Sequence, residues 1–582
     1  MNIDLSKTGR IGADHARRFD AVAGQARYFY NDLVSDLAKG HENDLDWWVS
    51  GIASRNTYVC SLFQEFCQVL FVKELLCNEE IKGVVVESRA VKKCLVSMCK
   101  KKGREIPIKV REGFFSFFAI LLNAVLDFGK DIVRQLYRTW LSKYRFPPVG
   151  RYYPEQCTLV ELFVLDNSFD KGDFNDRYYC DFGGFLTDEE KKPLVYLPTL
   201  SVRLKNLARI IKEIRSDKRI FIIQEELLKW NDYLYAWLYP FRYLCFYPKK
   251  VSWNGVDMTP LLRRAWWRHL FSSRSVEALL KYRFLKRLSE EKITVRLIVD
   301  WYENQDMDKA ANLAYRHYFP NSMVIGYQGF DTQKYWLCAY PSEKEYTSGI
   351  VPPIVAVCGE SLVEERKRFC RQLKIEVAPA FRNQGVWQES RSQEIPTKGC
   401  VMAVLPLETE NAKEIIEIVK DTAVLLAGKN VRFFIKPHPA ARMKSIYGEF
   451  LSPALEIIEG DIKQYWDHID VVVGNTSSVL LEAVARGKPV IVIGNRRGIT
   501  NNPIPEQLDE DIWRLVFTSG ELAETVEYYL SLSFEVKKRF ATIGEKIRAQ
   551  YFAPVTRADV IKLLRLDQLC HLMPEKQCGT CQ

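Results

Sequence analysis

The sequence has few histidines, no regular cysteine framework and no long apolar run. Its seven histidines are spread over 582 residues, and no two stand at the spacing of a metal site, which argues against a zinc or iron centre. Its fifteen cysteines lack the spacing of a disulfide-rich domain, so we expect reduced thiols. No apolar run is long enough to cross a bilayer and the N-terminus is polar, so we predict neither a transmembrane helix nor a signal peptide.

The chain instead alternates short apolar runs with amphipathic segments. That alternation predicts an α/β fold in which helices cover both faces of parallel sheets. In the first half the predicted strands are 83–86, 106–110, 159–165, 193–197, 220–223, 294–299, 323–326 and 354–358. A stretch without periodicity, 382–398, then leads to a second domain that begins at Cys400.

The length of the chain exceeds what a single core accommodates, so we expect two domains. The predicted N-terminal Rossmann-like domain covers 1–390, with helical insertions near 111–148 and 227–290. The predicted C-terminal Rossmann-like domain covers 399–565. Residues 566–582 form a polar tail whose one Cys-x-x-Cys pair is too little for a zinc site, and we expect this tail to be disordered.

The motif Lys436-Pro437-His438-Pro439 follows a β-branched and aromatic run, Val431 to Ile435. Such a run predicts a buried parallel strand, and open α/β sheets bind ligands beyond the carboxyl ends of their strands. Lys436 and His438 are therefore placed to meet a ligand. Taken alone, the Pro-His-Pro element is also typical of a rigid turn.

A second motif, 474–483, repeats this arrangement as Gly-Asn-Thr-Ser-Ser-Val-Leu-Leu-Glu-Ala. Asn475 and Thr476 form the turn after a strand, and Ser477 or Ser478 opens a helix whose N–H groups suit a phosphate. Glu482 lies one turn after Ser478, where it can accept hydrogen bonds from a ribose. A Ser-Ser pair alone is usually only a helix cap, but both motifs at neighbouring strand ends predict a nucleotide-sugar site.

With these two motifs the chain resembles the C-terminal half of bacterial GT-B glycosyltransferases that use CMP-activated acidic sugars. These are the sialyltransferases and the Kdo (3-deoxy-D-manno-octulosonate) transferases of surface-polysaccharide synthesis. The resemblance covers about 160 residues and implies two Rossmann-like domains that face a cleft. It also implies that Lys436 and His438 contact the CMP phosphate, that Ser477 and Ser478 contact the phosphate or the sugar carboxylate, and that Glu482 contacts the ribose.

Glycosyl transfer needs a carboxylate near the anomeric carbon, either as a base or as a nucleophile. Glu303 follows the apolar strand that ends at Val299, and the resemblance places an acidic catalytic motif in this domain. The family's acid-acid-Gly triplet is absent here, so the match is in position and residue type. Glu408 follows the first strand of the second domain and is the candidate nucleophile for a retaining reaction.

A third acid-rich segment follows the strand that ends at Leu165. Its members Asp166, Asp170, Asp173 and Arg177 are candidates for acceptor binding. The alternative is an Asp/Asn/Gly turn whose side chains bond to the local backbone. We expect no cofactor and no metal, because His438, Lys436 and the helix that begins at Ser477 could together neutralise a departing phosphate.

The net charge of +10 is unevenly distributed. Leu261 to Arg287 holds eight cations, one acid and several aromatics, which is a composition typical of a membrane-surface segment. The Phe-rich stretch Gly113 to Leu126 is too short to cross a membrane but long enough to lie in its interface. A core helix with a solvated basic face is the alternative for either segment. No nucleic-acid-binding motif accompanies the charge, so we expect no nucleic-acid partner.

We therefore predict a metal-independent glycosyltransferase that moves an acidic ulosonic sugar, Kdo-like or sialic, from its CMP conjugate to a glycan or lipid-linked acceptor. It would be cytoplasmic and peripheral on the inner face of the membrane, in bacterial capsule or lipopolysaccharide synthesis. One alternative is a CDP-polyol phosphotransferase of the teichoic-acid type, a group that also carries His-Pro and Ser-Ser elements. Another is a non-catalytic scaffold that binds sugar nucleotides or glycans.

Overall fold

The computed structural model describes residues 2–78, 81–113, 116–148, 150, 153–170, 172–291, 293–331, 333–388, 399–438, 454–458, 460, 462–508 and 511–567. Two large parallel sheets dominate the molecule, one in each half of the chain, and a small three-stranded parallel sheet accompanies the first. Pro439 of the Lys-Pro-His-Pro motif and the tail from residue 568 lie outside the described residues.

The strands of the first half are mostly β-branched and aromatic runs, as their burial requires. The small sheet consists of β1 (Asn2–Leu5), β2 (Gly83–Val86) and β3 (Ile108–Val110), in that order. The other strands of this half are β4 (Cys157–Leu165), β5 (Leu194–Ser201), β6 (Ile220–Phe221), β7 (Ser252–Trp253), β8 (Val256–Asp257), β9 (Val295–Trp301), β10 (Met323–Gln328), β11 (Ile354–Val357) and β12 (Lys374–Val377). β7 and β8 form an antiparallel hairpin, and the remaining seven form one sheet in the order β12-β11-β10-β9-β4-β5-β6.

The sheet of the second half has six parallel strands. They are β13 (Cys400–Val404), β14 (Arg432–Lys436), β15 (Leu455–Ile457), β16 (Val471–Gly474), β17 (Val490–Ile493) and β18 (Trp513–Val516). Their order is β15-β14-β13-β16-β17-β18, which in chain order is the 3-2-1-4-5-6 arrangement of a Rossmann-like sheet. The seven-stranded sheet has the same order with one more strand at its edge.

Helices cover both sheets and build the insertions. In the first half they are α1 (Ala13–Leu37), α2 (Leu45–Trp48), α3 (Gly51–Ser54), α4 (Leu62–Asn78), α5 (Arg89–Lys101), α6 (Ser116–Trp140), α7 (Asp188–Lys191), α8 (Leu204–Ser216), α9 (Gln224–Leu227), α10 (Trp230–Trp237), α11 (Tyr239–Tyr243), α12 (Thr259–His269), α13 (Ser273–Glu290), α14 (Asp306–Tyr318), α15 (Glu343–Thr347) and α16 (Ser361–Arg366). In the second half they are α17 (Thr409–Leu425), α18 (Val479–Ala485), α19 (Ser519–Leu530), α20 (Phe534–Tyr551) and α21 (Arg557–Leu563).

The predicted α/β fold class, with two Rossmann-like domains, is confirmed by these two strand orders. Each of the eight predicted strands of the first half overlaps an observed one. The sequence missed the edge strand β12, whose polar members Lys374 and Glu376 interrupt any apolar run. It also missed β1, which contains the polar Asn2 and Asp4, and the two-residue hairpin strands β7 and β8.

The chain returns to the first domain near its end. The Ala553 N–H donates to the Cys358 carbonyl at 2.7 Å, and the Ala380 N–H donates to the Ala553 carbonyl at 2.9 Å. Beyond this crossing, α21 buries Val560 and Leu563 in the core of the seven-stranded sheet. This last helix therefore packs with the first domain, although its place in the sequence had grouped it with the second.

The segment Leu261–Arg287 differs from its predicted character, because most of its cations point inward. Five of the eight pair with carboxylates: Arg264 with Glu65 and Glu112, Arg274 with Asp306, Lys281 with Glu161, and Arg283 and Arg287 with Asp232. Trp266 and Phe284 of the same helices are buried. The basic, aromatic composition thus chiefly stabilises the insertion. Among the described residues, no helix is both long enough and apolar enough to cross a membrane.

Candidate functional site

Each large sheet has one topological switch point, between two neighbouring strands from which the chain extends the sheet in opposite directions. In the second domain this point lies between β13 and β16, and in the first domain between β4 and β9. Ligands of open α/β sheets bind in the crevice at such switch points. The predicted residues Glu408 and Asn475 follow the first pair of strands, and Asp166 and Glu303 follow the second.

Contacts between the domains bring the two switch points together. The Gln333 side-chain N–H donates to the Thr476 carbonyl at 2.7 Å, so a loop of the first domain touches the turn after β16. The Asn383 side-chain N–H donates to Glu482 Oε1 at 3.1 Å. The predicted donor residues therefore line a cleft whose opposite wall belongs to the first domain.

The turn after β16 is fixed by its own side chains. Asn475 is buried, and its Oδ1 accepts a hydrogen bond from the Thr476 hydroxyl at 2.8 Å. Ser477 Oγ accepts the Val479 N–H at 3.4 Å, at the start of the seven-residue helix α18. Asn475 and Thr476 thus shape the turn, while Ser477 and Ser478 stand at its exit toward the cleft.

Glu482 lies on α18, deep in the cleft wall. Burial, reinforced by the nearby carboxylate of Asp331, raises the pKa of Glu482 to about 7, against the opposing charges of Arg486 and Arg382. Asp331 is itself a buried acid of the first domain, and burial raises its pKa to about 6. Its Oδ2 has no hydrogen-bond partner among the described residues. The two acids form a desolvated pair that spans the cleft.

Lys436 is the last residue of β14 and His438 lies two residues beyond it, so both stand at the carboxyl end of this strand. The Lys436 ammonium donates to the Gly460 carbonyl, which holds it against the loop after β15. Burial and the positive charges of Arg177 and Arg382 lower the pKa of His438. Since both arginines belong to the first domain, His438 faces across the cleft and is neutral near pH 7.

Glu303 follows β9 and is held by its neighbours in sequence. Its Oε1 accepts the Trp301 indole N–H at 2.9 Å, and its backbone N–H donates to Asp308 Oδ2 at 3.0 Å. Burial raises the pKa of Glu303, against hydrogen bonds from Trp301 and Gln305 and the charge of Arg382. A carboxylate with a raised pKa at a strand end in a cleft suits a general base.

A group of buried acids lies beneath Glu303. Asp300 is fully buried in β9, and burial together with the charge of Glu161 raises its pKa. Burial and the charge of Glu303 likewise raise the pKa of Asp308. Lys281 offsets part of this negative charge through its 2.6 Å ion pair with Glu161. The repulsion within this group therefore favours the protonated forms of Asp300 and Asp308.

Arg382 is the functional candidate that the sequence missed. Its guanidinium lies 5.5 Å from the Tyr178 ring centre and 5.9 Å from that of Trp301, which positions it over both rings. Its positive charge lowers the pKa of Glu303, of Glu482 and of His438. In the sequence it opens a stretch without periodicity, so only the fold brings it to the cleft. The sequence also missed Asp331, because this residue too reaches the cleft only through the fold.

The acid-rich segment after β4 divides into two parts. Asp166 accepts the Arg203 N–H at 3.0 Å and the Asn206 side-chain N–H at 2.9 Å, and Asp170 pairs with Arg209 at 3.4 Å. These contacts join the two acids to Arg203, Asn206 and Arg209 at the start of α8, and none of them is a bond to the backbone of their own loop. Arg177 differs, because its positive charge lowers the pKa of His438 in the second domain.

Asp173 and Glu408 remain exposed. Asp173 lines a surface cavity with Asp181 and Lys192 on the far part of the same loop. Glu408 stands just before α17 at the switch point of the second domain, and its charge adds to the burial that raises the pKa of Tyr58 in the first domain. Glu408 therefore reaches the cleft, whereas Asp173 belongs to a separate cavity. Among the described residues, no three His, Cys, Asp or Glu side chains could together hold a metal ion.

Comparison with known proteins gives remote likenesses in structure alone. No protein-family model matches the sequence, and no curated protein matches it. The structure is similar to the N-terminal domain of the Candida albicans trehalose-6-phosphate phosphatase, with 12% identity, a TM-score of 0.41 and coverage of 74% of this chain and 99% of that one. It is also similar to Staphylococcus aureus MnaA bound to UDP, with 10% identity, a TM-score of 0.42 and coverage of 73% of this chain and 100% of that one. A further similar structure is the Neisseria meningitidis UDP-GlcNAc 2-epimerase bound to UDP-GlcNAc, with 11% identity, a TM-score of 0.37 and coverage of 72% of this chain and 99% of that one.

Proposed function

We propose that the chain is a glycosyltransferase that uses a nucleotide-activated acidic sugar. The observation that carries this proposal is the cleft itself, where His438 and Glu482 of one Rossmann-like domain face Arg382 and Glu303 of the other. A cleft between two such domains suits a nucleotide donor on one wall and an acceptor on the other.

The charges in the cleft favour a donor with two anionic groups. His438 and Lys436 lie at one strand end, while Arg177 and Arg382 approach from the opposite wall. A CMP-linked ulosonic acid carries one phosphate and one sugar carboxylate, so it could use cations on both walls. Arg382 is the better partner for the carboxylate, because a guanidinium can bind it with two parallel hydrogen bonds.

Glu303 is the proposed general base. An acceptor hydroxyl would give its proton to the Glu303 carboxylate while its oxygen bonds to the anomeric carbon. The bond from that carbon to the phosphate oxygen would break, and its electron pair would leave with CMP. The raised pKa of Glu303 favours this proton uptake, and the indole of Trp301 holds the accepting group in place.

His438 is the proposed stabiliser of the leaving phosphate. Its pKa is lowered by burial and by the charges of Arg177 and Arg382, so the imidazole is neutral near pH 7. An incoming phosphate would oppose the charges of Arg177 and Arg382 and favour the protonated imidazole. This change would strengthen the hydrogen bond as negative charge develops on CMP.

Glu408 supports a different route at the same switch point. It is exposed and reaches the cleft, so it could act as the nucleophile of a two-step, retaining reaction. Under a CDP-polyol phosphotransferase activity, Glu303 would still serve as the base but CDP-polyol would be the donor. A non-catalytic scaffold would bind the nucleotide without releasing CMP.

Incubation of the protein with CMP-linked and CDP-linked donors, followed by measurement of released CMP, tests the proposal. We expect CMP release from a CMP-ulosonic acid when acceptor is present. The Glu303→Gln variant should bind CMP like the parent and release none. CMP release from CDP-polyols alone would favour the phosphotransferase, and binding without turnover of any donor would favour the scaffold.

We place the enzyme on the inner face of the cytoplasmic membrane, with a glycan or lipid-linked acceptor. The support is the exposed apolar surface of α6, where Phe118 and Leu122 are 65% and 60% exposed. The Phe-rich segment would make this apolar contact.

A further inference from the structure

A basic cavity of about 640 Å³ lies away from the cleft, in the insertion of the first domain. It is enclosed by α5, the first turns of α6, the hairpin β7–β8 and α12. Six cations line it, namely Arg89, Lys93, Lys250, Arg263, Arg264 and Arg268. Among the described residues, the acids that line it with them are Glu112 and Asp257. The lining therefore carries an excess of four positive charges.

Both acids of the cavity are already used by the protein. Glu112 Oε1 accepts from Arg264 at 2.8 Å, and its Oε2 accepts the Arg89 N–H at 3.0 Å. Asp257 Oδ1 accepts the Thr259 N–H at 3.0 Å. Burial and the charge of Arg264 lower the pKa of Arg268, which shows two cations held close together. An anion in the cavity would relieve this repulsion.

An exposed apolar surface begins at the mouth of the cavity. Ile120 and Leu121 of α6 line the cavity, while Leu122, Val125 and Val133 of the same helix are 60%, 41% and 65% exposed. The spacing of these three residues places them along one side of the helix. A helix of this length extends about 38 Å, enough to lie along a bilayer surface.

The neighbouring helices extend this surface. The Trp237 indole N–H donates to Gln135 Oε1 at 2.8 Å, which fastens α10 against α6. Trp230 and Leu234 of α10, Phe241 of α11 and Leu238 between the two helices are each at least half exposed. Exposed tryptophan and phenylalanine beside aliphatic residues are typical of a protein surface at the headgroup level of a membrane.

We propose that the cavity binds the phosphate of an anionic membrane lipid while α6, α10 and α11 lie in the bilayer interface. The observations favour a lipid because phosphate-binding cations and an exposed apolar surface meet at one opening. Arginine binds a phosphate with paired hydrogen bonds, and Arg263 and Lys93 are exposed at that opening. A lipid phosphate would satisfy the cations while its acyl chains remain beside the apolar helices.

Sedimentation of the full-length protein with vesicles tests this proposal independently of any transfer activity. We expect strong binding to phosphatidylcholine vesicles that contain phosphatidic acid, and at least tenfold weaker binding to phosphatidylcholine alone. Lys93→Glu combined with Arg263→Glu should weaken the preferred binding by at least roughly 30-fold, because two interfacial cations are lost and two carboxylates that the anionic surface repels replace them. Leu122→Ser combined with Val133→Ser should weaken binding to both vesicles.

Matched changes on the second domain provide the control. Lys537→Glu with Lys538→Glu, and separately Phe534→Ser, alter exposed residues of α20, and both should bind vesicles like the parent. Equal thermal melting of all variants would show that each one folds.

Several results would overturn the proposal. The proposal fails if the parent binds no vesicles, or if it binds vesicles with and without phosphatidic acid equally well. It also fails if Lys537→Glu with Lys538→Glu weakens binding as much as Lys93→Glu with Arg263→Glu. Tight binding of soluble glycerol phosphate without vesicle binding would instead assign the cavity to a free phosphate. A parent dimer that dissociates on Leu122→Ser with Val133→Ser would assign the apolar surface to self-association.

Discussion

Replacing Glu482 by Gln should stabilise the protein above neutral pH and weaken its hold on the donor. Glu482 is buried against Asp331, and its pKa is raised from the ordinary 4.5 to about 7. The difference, at about 1.36 kcal/mol per pH unit, corresponds to about 3 kcal/mol. This is the free-energy cost of carrying an ionised Glu482 in the folded cleft.

The direction of the stability change follows from the pH range in which the folded and the unfolded protein each hold the Glu482 proton. Between pH 4.5 and about 7 the unfolded chain has released the Glu482 proton while the folded protein still holds it. Stability therefore falls as pH rises through this window and stays lower above it. Glutamine is neutral at every pH and its Oε1 can still accept from Asn383, so the variant avoids this loss.

Thermal unfolding of the parent and of Glu482→Gln at a series of pH values measures the effect. The two melting temperatures should agree near pH 4.5 and separate progressively up to pH 8. A domain of this size gains about 2–4 °C per kcal/mol, so about 3 kcal/mol corresponds to roughly 6–12 °C at pH 8. Glu535→Gln, an exposed residue of the same domain, should cause no such separation.

Donor binding should change in the opposite sense. If an ionised Glu482 accepts hydrogen bonds from the ribose, CMP affinity should rise about tenfold from pH 6 to pH 8, as the ionised fraction grows. Glu482→Gln should remove this dependence, and a His438→Ala background keeps the imidazole from contributing. A variant melting at the parent's temperature at pH 8, or separating most at pH 4.5, would refute the electrostatic reasoning.

Three further changes test the cleft. His438→Ala should lower the transfer rate about a hundredfold while melting and CMP binding stay close to those of the parent, and near-normal turnover would remove His438 from the mechanism. Glu303→Gln should keep CMP binding and lose transfer, whereas a sugar adduct on Glu408 in that variant, seen by mass spectrometry, would show the two-step route. Arg382→Lys should retain charge but lose bidentate binding, so KM for the acidic donor should rise about tenfold with CMP affinity unchanged; an equal loss of CMP affinity would place Arg382 at the phosphate.

The two Rossmann-like sheets could be predicted because buried parallel strands are continuous apolar runs. β13 and β16 appear in the sequence as such runs, and β4 and β9 are largely apolar runs that contain the charged residues Glu161 in β4 and Arg296 and Asp300 in β9. The loops after these four strands carry the candidate site residues. Local patterns of this kind need no knowledge of the tertiary structure. The edge strand β12 is partly polar, so the same reasoning overlooked it.

The composition of the basic insertion misled the prediction because it does not reveal partners. Arg264 and Arg287 look like membrane-facing cations in the sequence, yet their carboxylates, Glu65 and Asp232, come from distant helices. The segment Gly113–Leu126 was different, since an apolar surface without charges cannot be neutralised by distant acids. Its apolar residues Phe118, Leu122, Val125 and Leu126 are exposed.

Arg382 and Asp331 show why the chemistry of the cleft could not be completed from sequence. Neither belongs to a motif, and the acids whose pKa they shift, Glu303 and Glu482, lie more than forty positions away from Arg382, as Glu482 does from Asp331. Arg382 offsets both Glu303 and Glu482, while Asp331 opposes only the ionised form of Glu482. A bound donor carboxylate would neutralise Arg382 and so raise the pKa of both acids. Donor binding would therefore make Glu303 a stronger base just when the acceptor hydroxyl must lose its proton, which links the donor wall to the acceptor wall through one guanidinium.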